Sequence, residues 1–430
     1  MDDSFRNYSH VPAPIFYWGV GIENCWMAEH NELNRIPRRL LDVYQQMQHY
    51  TQWKEDLDRA ADLGVKAVRY SVPWYKANPQ PGIYDWEWIS KPLEYMVNKL
   101  GIIPVIDLIH YGTPLWIDNG VLNYTYPQHI SAYASAFARQ FKGLVDHFTP
   151  HNEPQLSAFL GGLHHYWPPY LTGIDGWLRV GINIARGIIL TSQALRAELP
   201  DPVLISAECL ASPAVQDVAN TFKINISQST QEDFDYLVKT FPACLAYGKV
   251  NPDSPFGQVL LSTSLKNAEL EEFISKSQLP SYLGVNLYPD CFHRSSDAQQ
   301  GLILGAEELK AQLTHAYRFF DRPVYLTETS DGETVEEKTG WMEKAVEVIT
   351  GLRANGIPII GMNWWPLYET IQWDYRDTTR TVAESIRPGG WNNGLYQIKE
   401  QFDGALQRVR TGAVDSYREI IHTNPFMDAI

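Results

Sequence analysis

The feature that most constrains the fold is a succession of eight short apolar or β-branched runs, separated by stretches with helical periodicity. Such runs are typical of buried strands, and alternation of strands with helices predicts a parallel sheet. Eight alternating units are the number in a closed (β/α)8 barrel, which is the α/β fold we predict, with elaborated loops. The predicted strands lie near residues 16–20, 67–72, 103–109, 145–149, 203–207, 282–287, 324–327 and 359–364.

Helical patterns fill the connections, and several end at the Gly, Pro or Asn residues that commonly stop a helix. The clearest predicted helices cover residues 52–63, 130–141, 177–198, 306–320 and 339–355. No internal repeat or low-complexity linker divides the 430 residues. We therefore expect one domain over residues 1–430, although length alone also allows two or three ordinary domains.

Two glutamates occupy similar settings at the ends of predicted strands. Glu153 follows the fourth apolar run and Glu328 ends the seventh. In a parallel barrel, active sites are built at this end of the strands. Two carboxylates facing one another there can cleave a glycosidic bond, because one protonates the departing oxygen while the other attacks or activates water. The pair indicates a glycoside hydrolase.

The charge of the chain narrows the class of partner. The formal net charge is -15, and no block rich in Lys or Arg is present. This argues against nucleic acid or an anionic membrane as partner and favours a neutral small-molecule glycoside or oligosaccharide. No secretory signal or membrane-spanning run is visible, so we expect a cytoplasmic protein. The sequence leaves open whether it forms a homo-oligomer.

Three irregular stretches rich in Pro and aromatic residues follow the fourth, sixth and eighth predicted strands. They cover residues 161–173, 289–300 and 369–393. We expect them on the catalytic face, as loops that shape the substrate site. His164 and His165 in the first stretch lack a third ligand at metal spacing, so no metal and no organic cofactor are predicted.

A set of motifs, taken in chain order, resembles glycoside hydrolase family 1, the β-glucosidase family of retaining (β/α)8 enzymes. Asn152-Glu153-Pro154 and Leu326-Thr327-Glu328 are similar to its paired catalytic motifs at the fourth and seventh strands. The remaining landmarks are Phe16-Tyr17-Trp18-Gly19, Arg69-Tyr70-Ser71-Val72-Pro73-Trp74, His110-Tyr111, Gly284-Val285-Asn286-Leu287-Tyr288 and Asn363-Trp364-Trp365-Pro366-Leu367. The resemblance extends from Phe16 to about Tyr396. One tripeptide would carry little weight, but the ordered set is specific.

The resemblance implies that Glu153 is the general acid/base and Glu328 the nucleophile. Physical reasoning asks for the same division, because two carboxyls about 5 Å apart do not both remain ionised. Arg69 is expected beside Glu328 to keep it anionic, and Tyr288 is expected to donate a hydrogen bond to the same carboxylate. Asn152 matches the family's contact to the sugar 2-hydroxyl.

The resemblance also implies a set of substrate contacts. His110 would hold another hydroxyl of the glycone, the sugar whose anomeric carbon reacts, and Trp365 would supply a stacking floor. The other expected substrate-binding residues are Tyr111, Glu23, Trp26, Gln372 and Trp373.

This chain departs from the family pattern in the expected glycone pocket. Gln372 stands where the family has a carboxylate that grips the outer hydroxyls, so a charged acceptor becomes a weaker, partly donating amide. Trp26 aligns with a family Gln, while Glu23 is close enough in sequence to reach the same space. The catalytic pair is kept, but these changes argue against a simple preference for glucose as the glycone.

Three alternatives to simple hydrolysis remain. An acceptor alcohol replacing water in the second step would make the protein a transglycosidase. A non-catalytic sugar-binding relative is disfavoured because Glu153, Glu328, Arg69, Asn152 and Tyr288 are retained together. Another barrel glycosidase family with glutamates on strands four and seven would change the substrate. The sequence does not name the glycone or its leaving group, the aglycone.

Overall fold

The eight predicted apolar runs form the strands of one parallel sheet. The computed structural model describes residues 16–27, 39–210, 213, 215–224, 226–227, 231–289 and 298–424. Its sheet strands, labelled here β1 to β8, are Tyr17–Ile22, Ala67–Ser71, Ile103–Asp107, His147–Thr149, Val203–Leu204, Leu283–Leu287, Val324–Thr329 and Ile359–Trp364. The predicted number and order of strands are confirmed, with boundaries that differ by a few residues.

The sheet closes into a barrel. Its ladder runs in the order β5-β4-β3-β2-β1-β8-β7-β6. The two outer strands meet through parallel bridges that pair Ile205 with Tyr282 and Glu208 with Val285. The predicted (β/α)8 fold is therefore confirmed. The β5–β6 seam has the least regular pairing in this circle.

Helices cover the outside of the barrel. The longer ones are His49–Asp62, Glu87–Tyr95, Tyr126–Gln140, Gly173–Glu198, Val215–Thr221, Gln231–Thr240, Pro255–Thr263, Asn267–Ser275, Ala298–Phe320, Val335–Ala354 and Gly412–Thr423. All five predicted helices begin three to eight residues earlier than apolar periodicity indicated, because their first turns carry few apolar residues. Thr334 shows that the N-cap residue marks a helix start better than the apolar pattern does. Its hydroxyl accepts from the N–H of Glu337 at 3.2 Å.

Some elements fall outside the eight-strand pattern. A hairpin pairs Tyr396–Glu400 with Leu406–Arg410 and is labelled here β9 and β10. Two residues after β1, Trp26–Met27, pair with Leu41–Asp42. The short helices are Val43–Gln46, Trp74–Ala77, Pro154–Ala158, Ala243–Ala246 and Val382–Ser385.

The barrel interior changes from apolar to polar along the strands. A buried cluster at the start of the strands contains Ala67, Val105 and Tyr325. Alternate residues of a strand face the same side, so Arg69 and Asp107, two positions further along, also point inward. The apolar layer supports the polar end of the barrel from below.

Candidate active site

Arg69 is the centre of the buried charges at the polar end of the barrel. Its Nη1 contacts Oε1 of Glu328 and lies 3.3 Å from Oε1 of Glu23. Its Nη2 donates to both oxygens of Asp107, at 2.9 and 2.8 Å, and to Oδ1 of Asn152 at 3.0 Å. One fully buried guanidinium thus lies within ion-pair distance of three acidic side chains.

The pKa values of two of these acids, Asp107 and Glu23, shift in opposite directions. Burial alone raises the pKa of Asp107, but attraction to Arg69 and the hydrogen bond with His110 outweigh it and lower that pKa. Glu23 is also fully buried, and there desolvation wins over Arg69, so its pKa is raised well above the ordinary value. The charged form of Asp107 is therefore favoured, whereas burial disfavours the charged form of Glu23.

Glu328 is held by two donors at the end of β7. The Tyr288 hydroxyl donates to its Oε2 at 2.5 Å, and Arg69 donates to its Oε1. Both contacts match those expected from the sequence. A register shift in the β6–β7 ladder, between Val285 and Asn286, pairs Asn286 with Glu328. Such irregularities redirect side chains beside active sites.

Glu153 sits at the start of the short helix Pro154–Ala158, with a left-handed backbone at φ 43°. Its side chain accepts from the hydroxyl of Tyr111 and, at 2.9 Å, from Nδ2 of Asn286. Burial, and then repulsion from Glu328, raise its pKa to about 8. At neutral pH this carboxyl therefore carries a proton, and it shares the site with Glu328, which two donors hold.

Both glutamates line one cavity of about 310 Å³ at the end of the strands. Its described lining residues are Cys25, His110, Tyr111, Glu153, Leu156, Cys209, Leu210, Asn286, Tyr288, Glu328, Trp365, Trp373 and Trp391. Four expected substrate-binding residues, His110, Tyr111, Trp365 and Trp373, are among them. A cavity with a protonated carboxyl and a second carboxylate held by donors can carry out general acid and nucleophilic chemistry.

Three expected substrate-binding residues are not among those that line the cavity. Trp26 is buried and stacks on Tyr75 with ring centroids 4.2 Å apart. Glu23 is completely buried beside Arg69 instead of facing the cavity. Gln372 donates from Nε2 to the carbonyl of Arg387 at 2.9 Å.

Asn152 is also fully buried. Its amide donates to the hydroxyl of Tyr111 at 3.1 Å, behind the cavity wall.

The expected loops lie at the site where the structure describes them. Trp167, from the stretch 161–173, packs against Tyr111 with ring centroids 4.6 Å apart. Trp373 and Trp391, from 369–393, stack at 4.9 Å and line the cavity. Residues 290–297 of the stretch 289–300 lie outside the described residues.

Three residues at this site had been given no role from the sequence. Asp107 ends β3 three residues before His110, a signal of the same kind as the glutamates at strand ends. Asn286 lies inside the sixth-strand motif and binds Glu153. Trp391 lies in a long loop, and no local pattern indicates that it reaches the cavity.

Within the described ranges, no group of three or more His, Cys, Asp or Glu side chains could hold a metal ion. The same part of the chain contains no helix that is both long and apolar enough to cross a bilayer.

The sequence model of Glycosyl hydrolase family 1 matches residues 27–193. A 1,4-beta-D-glucan glucohydrolase from Thermotoga neapolitana is 27% identical over 410 residues, covering 81% of this chain and 87% of that protein. By these matches the chain is similar to glycosyl hydrolase family 1.

Other relatives match over shorter segments. Beta-glucosidase 44 from Arabidopsis thaliana is 32% identical over 119 residues, which is 26% of this chain and 23% of that protein. Beta-glucosidase A from Thermotoga maritima is 26% identical over 162 residues, 36% of this chain and 35% of its own length. These two alignments therefore span about a quarter to a third of the relatives' lengths.

The fold comparison covers nearly the whole chain. The structure of a beta-glucosidase from Thermotoga maritima in complex with deoxynojirimycin superposes with a TM-score of 0.71 at 16% identity. It covers 95% of this chain and 97% of that one. At 16% identity this similarity shows that the two proteins share the barrel fold and nothing more.

Proposed function

We propose that the protein is a member of glycosyl hydrolase family 1 and acts as a retaining β-glycosidase that hydrolyses small β-glycosides. The observation that carries the proposal is a carboxyl with a raised pKa in the same cavity as a second carboxyl that two donors hold. Burial and repulsion raise the pKa of Glu153 to about 8, while Glu328 is held by Arg69 and Tyr288. A proton donor and a nucleophile are the two groups that glycoside hydrolysis needs. We further propose that residues 1–430 act as one catalytic domain.

In the first step, an oxygen of Glu328 forms a bond to the anomeric carbon as the bond to the aglycone oxygen breaks. Glu153 gives its proton to that oxygen. In the second step, water attacks the anomeric carbon, its proton passes to the Glu153 carboxylate, and Glu328 leaves. Two inversions leave the anomeric configuration unchanged. An alcohol in place of water would give transglycosylation by the same residues.

The hydrogen bonds around the pair support these roles. Tyr111 and Asn286 hold the Glu153 carboxyl in place, so that its proton is presented from a fixed position. Asp107 binds both to Arg69 and to His110, at 3.1 Å from the His110 Nδ1, and so fixes the wall beside the nucleophile. Held groups lose little freedom when the transition state forms.

The test is release of nitrophenol from aryl α- and β-glycosides. We expect turnover of at least one β-glycoside, undetectable turnover in Glu328→Ala, and a loss of roughly 10²- to 10⁴-fold in Glu153→Ala. Azide should restore activity to Glu153→Ala, since a small anion can attack the glycosyl-enzyme without general base help. Proton NMR of the first product should show the β anomer.

A matched control is Glu208→Gln. Glu208 is a buried carboxyl just beyond β5, but it pairs with Gln155 and Tyr247 and is not among the residues that line the cavity. Its substitution should keep at least about a tenth of the activity, since it takes no part in proton transfer. Natural β-glycosides that bind without being cleaved by the wild-type protein would instead favour the sugar-binding alternative.

The pH profile gives a second test. Activity should fall on the alkaline side with a midpoint near pH 8, where Glu153 loses the proton it must donate. A rate that stays constant to pH 10 would exclude Glu153 as the acid.

A further inference from the structure

A groove on the outside of the barrel is separate from the catalytic cavity. It lies between the helices Tyr126–Gln140, Gly173–Glu198 and Asn267–Ser275 and has a volume of about 450 Å³. This volume exceeds that of the catalytic cavity and lies within the range of small-molecule sites. None of the described residues that line the groove also lines the catalytic cavity. Both can therefore be occupied at the same time.

The groove contains a buried side chain with an unused hydrogen-bond acceptor. Asn183 is 7% exposed, and its Nδ2 donates to the carbonyls of Val121 and Asn123, both at 2.7 Å. These two bonds fix the side-chain amide and use both of its N–H groups. No described residue donates to its Oδ1, although Asn183 lines the groove. The groove thus offers a rigidly held acceptor to a donor on a ligand.

An aromatic ring stands at the edge of the same groove. Tyr124 is 86% exposed and makes no hydrogen bond or ring contact with any described residue. A single exposed ring needs no explanation by itself. Here, however, it adjoins the buried side chains of Ile189 and Phe273, which also line the groove. Together they provide an apolar surface on which a flat ligand face can stack.

The charges in the groove balance one another. Arg186 pairs with Glu269 at 3.1 Å, and Lys276 pairs with Glu272 at 2.6 Å. These two cations and two anions are the charged residues among the described lining. A groove without net charge favours a neutral ligand, while the paired groups keep free positions for hydrogen bonds with hydroxyls.

We infer that this groove is a second carbohydrate-binding site, which holds a neutral oligosaccharide outside the catalytic cavity. A sugar presents both surfaces that the groove requires, since the C–H face of its ring stacks on Tyr124 and its hydroxyls donate to Oδ1 of Asn183. A purely apolar ligand would cover the Asn183 acceptor without pairing it. The inference does not depend on the proposed glycosidase activity.

The experiment measures binding of cellotetraose, laminaritetraose and xylotetraose by calorimetry. It uses the full chain with Glu328→Ala, so that no cleavage accompanies binding. At least one tetrasaccharide should bind, and adding Tyr124→Ala should raise its Kd at least about 5-fold. Tyr124→Trp keeps a stacking surface and should restore binding. Phe402→Ala removes another exposed ring, which is not among the lining residues, and should leave Kd unchanged.

Three outcomes would overturn the inference. One is the absence of binding by every tetrasaccharide at millimolar concentrations. Another is an unchanged Kd in Tyr124→Ala, because the sugar would then lie elsewhere. The third is tighter binding of the anionic tetragalacturonate than of any neutral tetrasaccharide. None of these outcomes bears on turnover of aryl glycosides, which Tyr124→Ala with Glu328 intact should support at the wild-type rate.

The Asn183 amide gives a second, direct readout. Its side-chain N–H signals in NMR should shift as the tetrasaccharide saturates the protein, because a donor then reaches Oδ1. Asn78 is the matched control: it is also buried, and its Nδ2 donates to the carbonyls of Gln80 and Ile83 at 2.7 and 2.8 Å. Its signals should stay in place, since Asn78 is not among the residues that line the groove. Asn183 signals that do not move at saturation would contradict the assignment to this groove.

Discussion

Arg69 shows how one buried residue supports several carboxylates in different states. Burial on its own lowers the pKa of this guanidinium, but attraction to its carboxylate partners outweighs burial and raises it well above the ordinary value. Asp107 binds Arg69 through two hydrogen bonds and has a lowered pKa, whereas burial raises the pKa of Glu23. The two acids should therefore respond differently to removal of their charge.

Glu23→Gln should change the free energy of unfolding by less than about 1 kcal/mol, because burial favours the neutral form of the carboxyl that the amide replaces. Asp107→Asn should lower it by about 3–5 kcal/mol, since it leaves Arg69 buried without its ionised partner. Denaturant unfolding of both variants at pH 7 measures the difference. Equal losses would show that Glu23 is ionised in the folded protein.

Glu153 links catalysis to stability. Its pKa is about 8 in the folded protein and 4.5 ordinarily, so between these values the folded state holds a proton that the unfolded state has lost. Stability must then fall as pH rises from about 4.5 to 8. Glu153→Gln removes this dependence, and its melting temperature should exceed that of the wild type by a margin that grows from pH 5 to pH 8. Glu336→Gln, at an exposed position, is the control and should follow the wild type; a constant margin for Glu153→Gln would contradict the raised pKa.

At the scale of single elements, β6 is packed too closely to accept an added side chain. A Cβ at Gly284 would lie 1.8 Å from the carbonyl oxygen of Ser206 and 2.7 Å from the side chain of Thr327. Gly284→Ala should therefore destabilise the protein by about 3 kcal/mol or more.

Gly351 lies exposed in the helix Val335–Ala354 with open space around it, so Gly351→Ala should stabilise by about 0.5–1 kcal/mol. Thermal unfolding of both variants tests the contrast. A lower melting temperature in both would mean that a side chain at position 351 does not have open space around it.

The elements could be predicted where local chemistry determines them. Buried parallel strands are nearly continuous apolar runs, so all eight were visible in the sequence. The hairpin β9–β10 was not predicted, because its alternation is mixed and it is held by Arg408, which binds Asp56 on a distant helix. Trp26 was expected in the cavity but stacks on Tyr75, a contact between segments that no local pattern specifies. Positions at strand ends are thus predictable, while side-chain direction in the connecting segments depends on packing.

At the scale of the whole molecule, the barrel closes unevenly. β5 pairs regularly through only Val203–Leu204, and beyond it the β5–β6 seam depends on single hydrogen bonds, such as Glu208 N–H to the carbonyl of Gly284 at 3.1 Å. β1, in contrast, is paired over four residues with both β2 and β8. Regions with few ladder hydrogen bonds open first.

Native-state hydrogen exchange should therefore begin at the β5–β6 seam. The amides of Ser206 and Glu208, which donate across it, should exchange at least about 10-fold faster than those of Val20 and Met362 in the β1–β8 ladder, reflecting a difference of about 1.4 kcal/mol in opening free energy. The seam also helps to position Glu153. The backbone N–H of Asn286 donates to the carbonyl of Glu208 across the seam at 2.9 Å, and the Asn286 side chain donates to Glu153. A bound 1-thio-β-glycoside should slow exchange at the seam more than in the β1–β8 ladder. Uniform exchange around the barrel would instead mean that it opens only as a whole.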